Sequence, residues 1–88
     1  MRRIEVTALY VRATTRHGIV AGSDVAKRIA REIRALAEGS LPADGDVDVV
    51  LPPAERVWQH AVRETGYLVL YGFDDERLVL RTLRIVGG

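Results

Sequence analysis

One amphipathic segment, residues 23–38, constrains the fold of this chain more than any other feature. Its apolar residues recur at intervals of three and four, which places them on one face of a helix. These residues are Ala26, Ile29, Ala30, Ile33, Leu36 and Ala37. Ser23 or Asp24 can cap the free amides at the helix start, and Gly39 is expected to end the helix in the left-handed conformation. The sequence therefore predicts one long helix with a single buried face.

Short runs rich in β-branched and aromatic residues predict strands elsewhere. They lie at residues 3–13, 47–51, 67–73 and 77–86, and an apolar run at 18–22 is expected to form a hairpin with the first strand. Residues 54–64 fit two structures. Good helix formers after two prolines favour a short helix, which we take as the better fit, whereas Trp58, His60 and Val62 alternate as in a strand. This order predicts an α+β domain with one main helix on one face of a mixed sheet.

Composition limits the classes of function that the chain can serve. Its 88 residues suit one small domain, and a net charge of +1 gives no argument for nucleic acid on charge alone. The absence of cysteine excludes disulfides, thiolate metal sites and cysteine nucleophiles. No signal peptide and no membrane span is evident, so a cytoplasmic location is expected. We predict no cofactor and no metal site.

The final residues carry a second constraint, because the strand pattern runs straight into Gly87-Gly88. Glycine has no Cβ, so such an end is thin enough to enter a narrow channel. A terminal carboxylate is ionised at neutral pH. It can attack the α-phosphate of ATP, and the acyl-adenylate can then pass to a thiol, an amine or sulfide. The pattern favours a substrate of that chemistry and not an enzyme.

Two stretches resemble ubiquitin and its β-grasp relatives, including the sulfur carriers. Ser23-Asp24 is followed by apolar residues three, six and ten positions after that serine, as in the family. Residues 83–88, Leu-Arg-Ile-Val-Gly-Gly, resemble the ubiquitin tail. The resemblance implies a β-grasp domain over residues 1–83 and a flexible tail over residues 84–88.

The resemblance also implies specific roles and partners. Gly88 would supply the carboxyl that is adenylated and transferred, and Gly87 would keep the tail thin. Arg84 and Leu83 would be recognised by an ATP-dependent activating enzyme, with a conjugating enzyme and a processing protease as further partners. Lys27, the single lysine, is a candidate acceptor. Neither a membrane nor a nucleic acid is a partner in this interpretation, and a homo-oligomer is left open.

The last third of the chain also resembles toxins of the RelE/ParE type, which end in a three-strand meander with an acidic turn. This alternative implies messenger RNA cleavage or gyrase inhibition by the toxin of a toxin–antitoxin pair. Arg63, Arg81 and His60 would then stabilise charge or carry protons. Such toxins need two helices after the first strand. A helix within residues 13–22 would favour the toxin, and a strand would favour the modifier, which is our main prediction.

Overall fold

The computed structural model describes residues 1–87, in which two helices and five strands form an α+β arrangement. In chain order they are β1 Arg3–Val6, α1 Ala8–Arg16, α2 Asp24–Glu38, β2 Val47–Leu51, β3 Glu55–Val62, β4 Tyr67–Phe73 and β5 Arg77–Ile85. The strands form one sheet in the order β1-β5-β4-β3-β2. β1 runs parallel to β5, and the other neighbours are antiparallel. The predicted α+β class with a mixed sheet is therefore confirmed.

The helices cover one face of the sheet, and the main core lies between the helices and the sheet. It contains Tyr10, Ala13, Ile29, Ile33, Leu36, Ala37, Val62, Val69, Tyr71, Leu78, Leu80 and Leu83. A smaller cluster of Leu51, Val57 and Leu70 lies on the opposite face, which we call the open face. Neither helix in residues 1–87 is both long enough and apolar enough to span a membrane.

The first twenty-two residues differ from the prediction. The strand expected over residues 3–13 ends at Val6, residues 8–16 are helical, and the predicted strand at 18–22 is a turn region. Thr7 caps the helix by accepting a hydrogen bond from the Tyr10 amide at 3.2 Å. Tyr10 and Ala13, three residues apart, then fall on one face and are buried. Burial in the core thus overrides the strand propensity of this segment.

Two further local predictions are wrong. Residues 55–62 form β3 and not a helix, because Trp58 lies opposite Tyr71 and both neighbouring strands pair with this segment. Gly39 follows α2 with φ −97° and ψ −175°, which is extended and not left-handed. The helix at residues 24–38 and its Ser23 cap are confirmed, as are the strands at 47–51, 67–73 and 77–85.

A β-bulge in β5 is held in place by Thr7. Leu70 pairs with Thr82, whereas the next residue of β4, Tyr71, pairs with Leu80, so Arg81 is the extra residue. The Thr7 hydroxyl donates to the carbonyls of Leu80 at 2.8 Å and Arg81 at 3.1 Å. The same hydroxyl caps α1. One side chain therefore connects the start of α1 to the bulge.

A partly buried polar cluster connects α2, the following loop and the sheet. The ring nitrogens of His60 lie 2.7 Å from Asp46 Oδ1 and 3.0 Å from Glu32 Oε1. Tyr71 donates to the other Asp46 oxygen at 2.5 Å. Burial, and then this hydrogen bond, raise the pKa of Tyr71 above its ordinary value, so the hydroxyl stays protonated as a donor. Only 3% of the Asp46 side chain is exposed, so its loss would leave the buried Tyr71 hydroxyl without its acceptor and one ring nitrogen of the partly buried His60 without its partner.

Thr7→Val is expected to lower the free energy of unfolding by about 1–2 kcal/mol, because the cap and both hydrogen bonds to the bulge are lost while the shape is kept. Urea denaturation measures the change. Thr7→Ser retains the hydroxyl, so its free energy of unfolding should stay closer to that of the parent protein. Equal stability of the two variants would show that the hydroxyl does not hold the bulge.

Asp46→Ala is expected to cost about 2–3 kcal/mol of stability, since it leaves His60 and Tyr71 without their shared carboxylate. The matched control is Asp44→Ala, an exposed position in the same loop. A change within about 0.5 kcal/mol is typical of such a surface site. Similar denaturation midpoints for both variants would contradict the role given to the cluster.

Candidate functional site

An open groove lies between the end of α1 and the later half of β5. Its volume is about 560 Å³. The lining residues are Leu9, Arg16, His17, Leu51, Thr82, Leu83, Arg84 and Ile85. We call it the basic groove, because two arginines and a histidine line it. These residues are brought together from three chain segments, one around α1, one at the end of β2 and one in the later half of β5.

The two arginines of the basic groove have no ion-pair partner within residues 1–87. Arg16 and Arg84 are both exposed, and neither forms a salt bridge with a described carboxylate. By contrast, Arg77 and Arg81 are paired with Asp74 and Glu55. Two uncommitted guanidinium groups in one groove favour a ligand with negative charge, and planar guanidinium suits phosphate in particular.

His17 is held at the margin of this groove by an aromatic contact. Its ring lies 5.8 Å from the Tyr67 ring, centroid to centroid, at an interplanar angle of 62°. This is edge-to-face packing, which fixes the ring plane at little energetic cost. His17 is nevertheless part of the groove lining, so its imidazole lies beside Arg16 in the same groove.

The residues predicted for a toxin site do not form one cluster. Arg81 lies on the open face at the bulge and donates to Glu55 at 2.8 Å. Arg63 is exposed just beyond the end of β3. His60 lies on the helix-covered face in the cluster with Asp46 and Glu32, where its side chain is 13% exposed.

The residues predicted for a modifier are also spread over the structure. Leu83 is buried in the main core, and Arg84 is an exposed residue of β5 that lines the basic groove. Gly87 has a positive φ of 74°. Lys27 is exposed on α2. Gly88 lies outside the described residues.

Sequence analysis missed two groove residues, Arg16 and His17. Both residues fall between the strands predicted at 3–13 and 18–22, in the connection of the expected hairpin, so neither side chain had a predicted position relative to the sheet. A helix assignment for residues 8–16 would have placed this basic pair at the end of α1. Its nearness to Arg84, however, depends on how α1 packs against β5, and no local pattern encodes that.

No protein-family model matches the chain, and neither does any curated protein. Among solved structures, the chain is similar to the crystal structure of YafQ from E. coli strain BL21(DE3). The TM-score is 0.65 over 97% of this chain and 93% of that chain, at 14% sequence identity. At this identity the similarity shows a shared fold.

This similarity corrects the main functional prediction. YafQ is a RelE-family toxin, so the weaker of the two predicted resemblances is the supported one. The ubiquitin-like modifier and sulfur-carrier interpretation is wrong, and with it the predicted ATP-dependent activating enzyme as partner. The β-grasp arrangement is not confirmed. The helix over residues 8–16 is the structural reason why the β-grasp prediction fails, because it occupies residues that were predicted to form the first hairpin.

Proposed function

We propose that this protein is a RelE-type toxin that binds messenger RNA in the basic groove and cleaves it. The observation that carries the proposal is α1, which gives the chain the fold of YafQ, a RelE-family mRNA-cleaving toxin, and brings Arg16 and His17 close to Arg84. The partner implied is an antitoxin that neutralises the toxin. Its site of action is the cytoplasm, where messenger RNA is translated.

The proposed reaction is cleavage of RNA by its own 2′-hydroxyl, which needs a base, an acid and positive charge. The 2′-hydroxyl of RNA attacks the adjacent phosphorus, the O2′–P bond forms and the P–O5′ bond breaks. A base takes the proton of the 2′-hydroxyl and an acid supplies one to the departing 5′-oxygen, leaving a 2′,3′-cyclic phosphate and a 5′-hydroxyl. Negative charge on the phosphoryl oxygens increases in the transition state, and fixed cations stabilise it.

We assign the roles by position in the groove. Arg16 on α1 and Arg84 on β5 both line the groove, and in this proposal they stabilise the phosphoryl oxygens. His17 exchanges a proton with the 2′-oxygen or the 5′-oxygen. Thr82 also lines the groove, and its hydroxyl is a further hydrogen-bond donor.

Induced expression in a bacterial host is expected to arrest growth, and the purified protein is expected to cleave messenger RNA, on ribosomes or free. Arg16→Gln and Arg84→Gln should each lower the cleavage rate by about 10²–10³-fold, as loss of a charge-stabilising donor does. His17→Asn should lower it by about 10²–10⁴-fold, as loss of a proton carrier does. Cleavage rates under single-turnover conditions measure these changes.

The matched control is Arg34→Gln, because Arg34 is exposed on α2, away from the groove lining. It should retain the parent rate within about twofold, and all variants should keep the parent unfolding midpoint. Substrate with a 2′-deoxyribose at the cleaved position should resist cleavage. Full activity in both Arg16→Gln and Arg84→Gln would exclude the basic groove as the site.

Salt dependence gives a second test, independent of cleavage. Each phosphate contact to single-stranded RNA contributes about −0.7 to the slope of log affinity against log salt. Arg16→Gln and Arg84→Gln should each make the slope less negative by about that amount, whereas Arg34→Gln should leave it unchanged. Fluorescence anisotropy of an RNA with uncleavable 2′-O-methyl sugars provides the affinities. Identical slopes for all variants would show that neither groove arginine contacts phosphate.

A further inference from the structure

We infer that the polar cluster of Glu32, Asp46, His60 and Tyr71 is a proton-dependent clamp, which joins α2 to the sheet and loosens as the pH rises. We call it the clamp. Its four side chains come from α2, the loop after α2, β3 and β4. None of these four residues lines the basic groove, so the clamp operates whatever the protein binds there.

The three hydrogen bonds of the clamp need three protons. His60 Nδ1 lies 2.7 Å from Asp46 Oδ1, and His60 Nε2 lies 3.0 Å from Glu32 Oε1. The Tyr71 hydroxyl donates to the other Asp46 oxygen. Burial raises the pKa of this hydroxyl, so Tyr71 keeps its own proton. Because an ionised carboxylate can only accept, the two contacts of the ring need two further protons.

A neutral imidazole supplies only one of those two protons. Its second ring nitrogen is an acceptor with a lone pair. That lone pair would face a Glu32 oxygen across 3.0 Å, which is the distance of a hydrogen bond without a hydrogen to form it. The contacts on both sides of the ring therefore require one more proton. Imidazole is more basic than a carboxylate in water, so the geometry assigns this proton to the His60 ring, as an imidazolium between two carboxylates.

The other charged groups in this part of the fold are already paired with a carboxylate or bound to the backbone. They are the pairs Arg56–Asp48 of β3 and β2 and Arg28–Glu64 beside α2, together with Arg2, which donates to two backbone carbonyls. Within residues 1–87, Glu32 and Asp46 are the charged groups that form ion pairs with His60.

Loss of the extra proton releases Glu32 and not Asp46. The Asp46 side chain is 3% exposed and keeps the Nδ1 proton as its donor, because a buried carboxylate without a partner is costly. The Glu32 side chain is 31% exposed, so it can turn to water instead. The contact that is lost joins α2 to β3. Deprotonation therefore loosens the helix from the sheet.

The direction of the pH dependence follows from the proton count. Above about pH 6.5, the ordinary pKa of histidine, the unfolded chain has lost a proton that the clamp still holds. The folded state then binds more protons than the unfolded state, so stability falls as the pH rises. Below that pH both states carry the proton, and the clamp contributes its full stability.

Nitrogen-15 NMR shows directly how many protons the His60 ring holds. The two ring nitrogens have nearly equal shifts in an imidazolium and widely different shifts in a neutral ring. At pH 7.5, where a free histidine ring is mostly neutral, we expect nearly equal shifts for His60. The chain has two histidines, so His17→Asn assigns the signals. A neutral His60 ring at this pH would overturn the clamp.

Urea denaturation between pH 6.5 and pH 8.5 measures the linked proton. The unfolding constant of the parent protein should rise several-fold per pH unit, up to the limit of about tenfold for one proton. Glu32→Gln should reduce this rise to less than about twofold, because the glutamine amide can donate to a neutral ring nitrogen. Glu38→Gln removes a carboxylate from an exposed position of the same helix and should keep the parent slope.

The slopes of the three proteins decide the matter, because the remaining titrating groups are common to all of them. Equal slopes for the parent and Glu32→Gln would overturn the clamp. A slope lost equally in Glu32→Gln and Glu38→Gln would assign the effect to the overall charge of α2 and would overturn it as well. Neither measurement uses RNA, so failure of the proposed function would leave the clamp standing.

Discussion

The hydroxyl of Thr7 makes the contacts on which the candidate site depends. It donates to two successive carbonyls of β5 and accepts from the first turn of α1. Because one atom makes all three contacts, the end of β1, the start of α1 and the bulge cannot move independently. These contacts therefore set the direction in which α1 leaves the sheet. That direction in turn places Arg16 and His17 beside β5. A short helix of nine residues would hardly keep this orientation through its own propensity.

The bulge has a chemical consequence as well as a geometric one. In a regular strand, successive side chains point to opposite faces. Here Arg81 is an extra residue, and the consecutive residues Arg81 and Thr82 line two different grooves. One groove therefore has uncompensated positive charge, whereas its neighbour has paired charges. Bulges often lie beside active sites for this reason, since they redirect a side chain without breaking the sheet.

The spacing of apolar residues correctly predicted those helices and strands in which the local sequence alone determines which face is buried. The apolar face of α2 and the dense β propensity of β4 are examples, and both elements are confirmed. α1 could not be predicted in this way. Val11, Thr14 and Thr15 favour strand, and Thr7 suits either a strand or a cap. The helix forms because Tyr10 and Ala13 are buried under the rest of the fold, which is information carried by distant residues. The Gly-Gly tail misled functional interpretation because a dipeptide reports nothing about packing.

The small net charge carries little information about anion binding, for a physical reason. A net charge of +1 sums over the whole chain, yet phosphate responds to the charge within about a Debye length, roughly 8–10 Å at physiological salt. Arg3, Arg56 and Arg77 are each paired with a nearby carboxylate and contribute little field at that distance. Arg16 and Arg84 have no such partner in the part of the chain that the structure describes, and they line one groove. The positions of the acidic residues, and not their number, therefore determine whether a chain with almost no net charge can bind an anion.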